Sequence, residues 1–372
     1  MLTEEARIAA YTASIRAAVR PGDVVLELGT GTGVMALLAC QCGARRVYAL
    51  EPSEAIHVAR QAARDNGFAD RIVFLRALST HVDLPERSDV LISDMRGSSP
   101  CYSTHFADLM DARQRLLQPE ARWICQTDTL FIAATDIPDR IDQSAVQWDG
   151  SRWGLDLRAS LPFARNSMSL RAAKPEHLLT EGRRWAEVHY PALTTPHLRG
   201  AATLTVTRPG TAHGLLVWFA AELFGGFRYT NAPDQLLGVY RPIFLPWEQT
   251  LELQPGDQIE ARVAVVYTGS DYTWNWATTV RREGQAEPVA SFSQSTLKGL
   301  VLDPELISRS SDDFAPQLTS AGEEVRFVLD RIDGRAAQAT LAAALRTEFP
   351  QRYPTPEEAL ARINQIRRSF AE

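Results

Sequence analysis

Long apolar runs are missing from this 372-residue chain, and no stretch approaches the ~18 residues of a membrane span. That excludes a helical membrane protein. Cysteine is scarce. Cys40, Cys42, Cys101 and Cys125 are the only four, and they show no metal-ligand spacing, so a reduced, cytoplasmic protein is expected. His57, His81 and His105 likewise have no partners at metal spacing and read as surface or structural residues. Excess positive charge is also lacking. The net charge of −6 argues against wholesale binding to nucleic acid or an anionic membrane, though not against a local basic groove. The N-terminus, Met1-Leu-Thr-Glu-Glu, is no signal peptide, and neither an internal repeat nor a long low-complexity tract occurs.

What the chain does have is enough length for two or three domains and a sizeable core. Residues 1–138 alternate helix and strand patterns. Apolar runs at 24–28, 46–50, 72–75, 90–92 and 123–126 fit parallel strands buried on both faces, with helical stretches such as 54–66 between them. This predicts a doubly wound α/β sheet. From about residue 139 to 297 the pattern becomes short strands separated by turn residues, for example 201–207, 214–222, 247–253 and 258–267, with Gln254-Pro-Gly-Asp as a turn. An all-β barrel or sandwich is expected there. Residues 298–372 read as three short helices. Ser320-Ala-Gly-Glu323 is expected to box the first, Asp333-Gly334 to end it, and Thr355-Pro-Glu-Glu358 to open the last. That suggests a small helical or winged-helix module.

The densest signal is Val24-Val-Leu-Glu-Leu-Gly-Thr-Gly-Thr-Gly33, with Val47-Tyr-Ala-Leu-Glu51 beyond it. It reads as a strand, a glycine-rich turn, a helix and a second strand ending in a carboxylate. Gly29, Thr30, Gly31 and Gly33 form a turn that lets a ligand approach the backbone. Glu51 sits where an acidic residue about 20 positions on takes ribose hydroxyls. Glu27, at the end of the first strand, would repel a pyrophosphate but suits a cation, such as the amino group of S-adenosylmethionine. The residues therefore point to that cofactor and to methyl transfer.

Taken together, these residues resemble the protein arginine methyltransferases over residues 1–278. The segment Met1-Leu-Thr-Glu-Glu-Ala-Arg7, with Tyr11, is similar to the family's stretch before the first strand, and the resemblance implies that Arg7 pairs with the cofactor carboxylate. Leu26-Glu-Leu-Gly-Thr-Gly-Thr-Gly33 matches its first motif, and Gly43-Ala-Arg-Arg-Val-Tyr-Ala-Leu-Glu51, followed by Pro52, its second strand. Leu78, Ser79 and Thr80 fall where the family touches adenine. Asp89-Val-Leu-Ile-Ser-Asp-Met-Arg-Gly97 parallels the loop that holds the family's substrate, while Ala220-Glu-Leu-Phe and Pro246-Trp-Glu-Gln-Thr250 parallel its barrel. The resemblance implies a Rossmann-like domain (1–138), a β-barrel domain (139–297) and the C-terminal module. It also implies a homodimer formed through a barrel arm. The candidate arm, residues 154–166, carries no scorable pattern. The chain begins where the family's lid helix would end, which leaves open what covers the cofactor.

The departures bear on the acceptor. The family holds a guanidinium between two glutamates. This chain has Asp94 at the first position and Ser103 at the second, and its threonine-histidine-tryptophan loop reads Leu245-Pro246-Trp247. A guanidinium stays protonated in proteins, so losing one of two buried carboxylates that would hold it costs about 3–5 kcal/mol. The altered loop thus points away from ordinary arginine methylation. Asp94 is expected to orient or deprotonate an acceptor, with Ser103 beside it; Trp247 reads either as a wall of the substrate pocket or as a buried barrel tryptophan. A peptide or protein side chain is the expected substrate. A small natural product, or a catalytically degenerate cofactor-binding protein, are the alternatives.

Phe314-Ala-Pro-Gln-Leu-Thr319, Asp333-Gly-Arg335 and Phe349-Pro350 are similar to PqqD-like winged-helix modules, a resemblance that implies peptide docking. From Ser311 onward eight Lys and Arg face ten Asp and Glu, so DNA binding is not expected.

Overall fold

Five strands form the first layer. They are β1 (Val24–Leu28), β2 (Arg46–Leu50), β3 (Ile72–Leu75), β4 (Ser88–Ser93) and β5 (Leu117–Trp123), all parallel, in the order β3-β2-β1-β4-β5. Of these, β1, β2 and β4 are the most deeply buried. The structure is a computed structural model that describes residues 4–137, 154–235, 239–301, 303–309 and 311–370. The first three residues of the chain and the expected boundary near residue 139 lie outside the described residues.

The chain winds outward from β1 to β3, then returns to the other side of β1 for β4 and β5. The carboxyl ends of β1 and β4 therefore flank the point where strand order reverses, which is where open α/β sheets take their ligands. Helix α1 (Glu5–Ala18) precedes β1. Its buried residues, Arg7, Ala10, Tyr11, Ser14, Ile15 and Ala18, recur three and four apart and so share one face. Arg7 and Tyr11 thus project inward together, one turn apart. Helices α2 (Val34–Gln41), α3 (Ala55–Asp65) and α4 (His105–Arg115) follow β1, β2 and β4.

The fifth strand differs from the expected one. β5 starts at Leu117 and ends at Trp123, and its interior reads Gln-Pro-Glu-Ala-Arg, largely exposed as befits an edge strand. The apolar run at 123–126 is instead a junction, because β6 (Cys125–Thr135) belongs to the next layer.

After β6 come α5 (Leu161–Arg165), β7 (Ser169–Leu170), β8 (Arg183–His189), β9 (Leu198–Thr205), β10 (Gly210–Leu223), β11 (Arg228–Thr230), β12 (Ile243–Leu253), β13 (Gln258–Tyr267), β14 (Tyr272–Arg281) and β15 (Ala290–Ser295). They make two antiparallel ladders, β7-β12-β10-β6-β8 with β11 on β10, and β15-β14-β13-β9. One apolar core runs through the parallel layer and both ladders, including Leu26, Ile92, Phe219, Trp247 and Trp274. Residues Met1–Val301 accordingly form one compact unit.

The second unit, Leu302–Glu372, is helical among its described residues, with α6 (Pro304–Ser308), α7 (Ser320–Leu329), α8 (Gln338–Glu348) and α9 (Pro356–Phe370). No strand occurs among them, so the wing of a winged helix is not seen there. The cap of α7 is Thr319, one residue earlier than expected, whose hydroxyl accepts from the Gly322 N–H at 3.1 Å. Thr355 and Glu358 box α9 as the sequence predicts, each side chain accepting from the other's backbone N–H. No helix among the described residues is long and apolar enough to cross a membrane.

Glu324 is the electrostatic centre of this unit. Its side chain is buried and takes ion pairs from Arg352 at 3.1 Å and Arg362 at 2.5 Å. Burial raises its pKa, but hydrogen bonds from Arg362, Tyr353 and Arg352 prevail and hold it below the ordinary glutamate value. A depressed carboxylate contributes stability that is present at neutral pH and lost as pH falls through its folded pKa. Glu324→Ala is expected to destabilise the helical unit by about 3 kcal/mol at pH 7, and by less in acid. Hydrogen exchange of α7, α8 and α9 in the full chain, at pH 7 and in acid, measures the difference.

Candidate functional site

The backbone between β1 and α2 turns away from the sheet at Gly29 and Gly31, with φ +72° and +53°. A Cβ on Gly29 would lie 2.9 Å from Met95 Cγ, so only glycine lets the β4 loop close over this turn. The N–H groups of Gly29 and Thr30 both donate to the Leu50 carbonyl, at 2.9 and 3.0 Å. The turn is thereby tied to the end of β2, next to Glu51.

A cavity of about 270 Å³ opens at this place. Gly29, Glu51, Pro52, Leu78 and Ser79 line one side, and Met95, Ser103, His105 and Asp108 the other. The Glu51 carboxylate accepts from the Gly31 N–H at 2.9 Å and the Ser53 N–H at 3.0 Å, which fixes its direction and leaves each oxygen a further lone pair. Ser79 is buried, and its Oγ has no hydrogen-bond partner among the described residues. A buried hydroxyl without a partner costs free energy, so one that lines a cavity marks a ligand contact. The Ser79 carbonyl is held by Arg115 at 2.8 Å. Arg115 is a positioning residue that sequence reading missed, because it lies a whole helix away. Apolar walls, a fixed carboxylate and an orphaned hydroxyl suit a nucleoside.

Glu27 lies behind the turn rather than on the cavity wall. It accepts from the Thr30 hydroxyl at 2.5 Å and from the Ala36 backbone, bracing the turn and the first residues of α2. Burial raises its pKa to about 7, against the pull of those two hydrogen bonds.

Ser103 and Asp94 are both on the loop that follows β4, but only Ser103 reaches the cavity. Ser103 has φ +49°, the one positive value for a non-glycine among the described residues. Such a conformation costs about 1–3 kcal/mol and tends to persist at functional sites. His105, read from sequence as surface or structural, is buried. Burial lowers its pKa to about 3, so it is neutral, with Nδ1 3.0 Å from the Pro100 carbonyl.

Asp94 faces α1. One oxygen pairs with Arg7, and the other accepts from Tyr11 at 3.0 Å and from Tyr229 at 3.3 Å. Burial pushes its carboxyl up, opposed by Arg96 and Arg7. The carboxylate expected to meet an acceptor is thus engaged from three sides. Trp247 is not brought to the cavity at all. It is fully buried and packs against Phe292, with centroids 5.5 Å apart and the rings tilted by 32°. The preceding Pro246 carbonyl is anchored by Trp276 at 2.9 Å and Gln294 at 2.7 Å, which turns the tryptophan into the β core. No cluster of three or more His, Cys, Asp or Glu suited to a metal occurs among the described residues.

The comparisons with known proteins converge on this region. The family model for ribosomal protein L11 methyltransferase (PrmA) matches residues 11–96, from within α1 to the start of the β4 loop. A probable protein arginine N-methyltransferase 6 of Arabidopsis thaliana is 27% identical over 238 residues, covering 60% of this chain and 54% of its own length. Protein arginine N-methyltransferase 6 of Xenopus laevis is 27% identical over 215 residues, covering 55% and 63%. The chain thus spans a little over half the length of these curated relatives. Among solved structures, the Trypanosoma brucei PRMT1 enzyme–prozyme heterotetrameric complex with AdoHcy superposes with a TM-score of 0.73 at 19% identity, over 79% of this chain and 95% of that one. Arabidopsis thaliana protein arginine methyltransferase 10, in an open conformation, gives 0.70 at 17%, over 80% and 96%. The chain has the fold of the protein arginine methyltransferases.

Glu27 yields a test of this geometry. Its folded pKa lies above the unfolded value, so the native state loses stability as pH rises from about 4.5 to 7. Glu27→Gln keeps an acceptor for Thr30 and Ala36 without the charge. Its stability relative to wild type is expected to improve by about 3 kcal/mol between pH 4.5 and 8, measured by urea denaturation at both pH values.

Proposed function

We propose that this chain is an S-adenosylmethionine-dependent methyltransferase acting on a peptide or protein side chain. The observation that carries the reading is the cavity at the strand-order reversal, with Glu51 fixed on one wall and the unpartnered Ser79 hydroxyl lining it. The likeness to methyltransferases in sequence and fold supports it.

Glu51 would take the ribose hydroxyls, with Leu78 and Ser79 against the base and Gly29 and Gly31 beneath. Arg7, with Asp94 as its counter-ion, would take the carboxylate. The bound cofactor supplies a methyl group activated on a sulfonium. The protein's own part is to align the acceptor and exclude water. The engagement of Asp94 by Arg7, Tyr11 and Tyr229 supports an orienting role for it over proton abstraction. The position of Ser103 on the cavity wall supports a contact with the acceptor.

Exposed Leu155, Leu157 and Phe163 support a homodimer through the arm segment. The free thiols support a reducing compartment such as the cytoplasm. The helical unit is read as a peptide-docking module that raises the local substrate concentration.

Labelled-methyl transfer into an extract of the source organism, with products separated by size, tests the reading. Label in polypeptide is the expected result, reduced in a chain truncated after Val301. Label only in small molecules would favour a natural-product substrate instead. Glu51→Ala is expected to weaken S-adenosylhomocysteine binding about 10–100-fold by calorimetry, and unchanged affinity would refute the assignment of the cavity.

A further inference from the structure

A second charged residue on the β4 loop has no part in the function above. Arg96 follows Asp94 by two positions, and its guanidinium is buried. An arginine in a loop ordinarily reaches water. This one donates to Asp128 Oδ1 and to Cys125 Sγ, while its Nε lies 3.8 Å from Asp94 Oδ1. Three rings surround the cation. Its Cζ is 5.3 Å from the centroid of Phe219, 5.5 Å from Tyr229 and 5.8 Å from Tyr190. The Tyr190 hydroxyl in turn donates to Asp128 Oδ2 at 2.6 Å, fixing the carboxylate that receives the guanidinium. Separate elements converge to build this enclosure. Asp128 comes from β6, Phe219 from β10 and Tyr229 from β11. A buried, oriented carboxylate within a ring of aromatic groups is the chemistry that selects a planar delocalised cation.

The enclosure adjoins the proposed site. Tyr229 also donates to Asp94, and Tyr190 packs on His105, which lines the cavity, with centroids 5.5 Å apart. Arg7 pairs with Asp94 and Glu4, and Arg96 with Asp128, so neither aspartate is left over for an incoming cation.

We propose that Asp128, Tyr190, Phe219 and Tyr229 form a guanidinium receptor that the chain fills with its own Arg96, making Arg96 a specificity-determining residue that restricts the methyl acceptor to uncharged groups. The clause about the acceptor rests on the methyltransferase reading. The receptor itself does not.

Thermal unfolding of the full chain separates the two. Arg96→Ala leaves Asp128 buried without its partner and is expected to lower Tm by roughly 10 °C. Ethylguanidinium at about 20 mM should restore at least half of that loss saturably, by binding the folded state. Ethylammonium, which has the charge without the planar fork, should not, and wild type should respond to neither. If Arg96→Ala does not fold in buffer, recovery of folded protein on refolding in ethylguanidinium is the expected result. Removing Asp128 as well, in Arg96→Ala with Asp128→Asn, should abolish the response. Absence of any ethylguanidinium-specific stabilisation or recovery would overturn the receptor. For the acceptor, products labelled by the wild-type chain are hydrolysed. Label on uncharged groups supports the restriction and methylated arginine overturns it. No label in any product would count against the methyltransferase reading alone, leaving the receptor to be judged by the Tm measurements.

Discussion

Two arginine–carboxylate pairs, buried where β4 leaves the sheet, are the constraint on which the rest of this site depends. Taking a charge out of water costs several kcal/mol unless a partner and further hydrogen bonds replace the lost hydration. Asp94 and Asp128 both meet that condition. Each has an arginine and at least one tyrosine hydroxyl, and Arg96 lies within ion-pair distance of both. The arrangement ties α1, the β4 loop and the first antiparallel ladder into one body. Losing any member would strand a buried charge, so the loop is held in a single geometry.

That rigidity explains the shape of the cavity. Met95 sits between Asp94 and Arg96, and its side chain closes over Gly29. The loop then carries Ser103 into the cavity wall with a left-handed backbone, a conformation that survives only where its surroundings over-determine it. On the opposite wall Glu51 is fixed by backbone donors from its own turn and from the glycine turn. A nucleoside-sized space is therefore framed by groups that are already oriented before anything binds, which is the state that recognition needs.

The parts of this site that could be read from sequence are those set by local spacing. The parallel strands β1 to β3 declare themselves as continuous apolar runs, and the glycine turn with Glu51 needs only one strand–helix–strand unit to be recognised. Leu78 and Ser79 follow from the family resemblance and not from that spacing. Arg96 could not be read this way. In a loop of glycine and serine an arginine looks solvent-facing, and only the pairing of β6 with β10 and β11 brings Asp128 and the three rings around it. The same long-range packing decides Trp247, which the sequence leaves between pocket and core and the doubly anchored Pro246 carbonyl turns into the core. It also decides His105, which reads from sequence as surface or structural and is buried against Tyr190 from the antiparallel layer. β5 escaped because an edge strand made of Gln, Pro, Glu, Ala and Arg has no apolar periodicity to detect.

The central claim is that a nucleoside cofactor occupies the cavity while both buried arginines keep their internal partners. A crystal structure of the wild-type chain with S-adenosylhomocysteine tests it most directly. The account expects the ribose on Glu51, the base against Leu78 and Ser79, and Arg96 still paired with Asp128 among Tyr190, Phe219 and Tyr229. A ligand bound elsewhere, or Arg96 swung out so that Asp94 and Asp128 face open space, would contradict it.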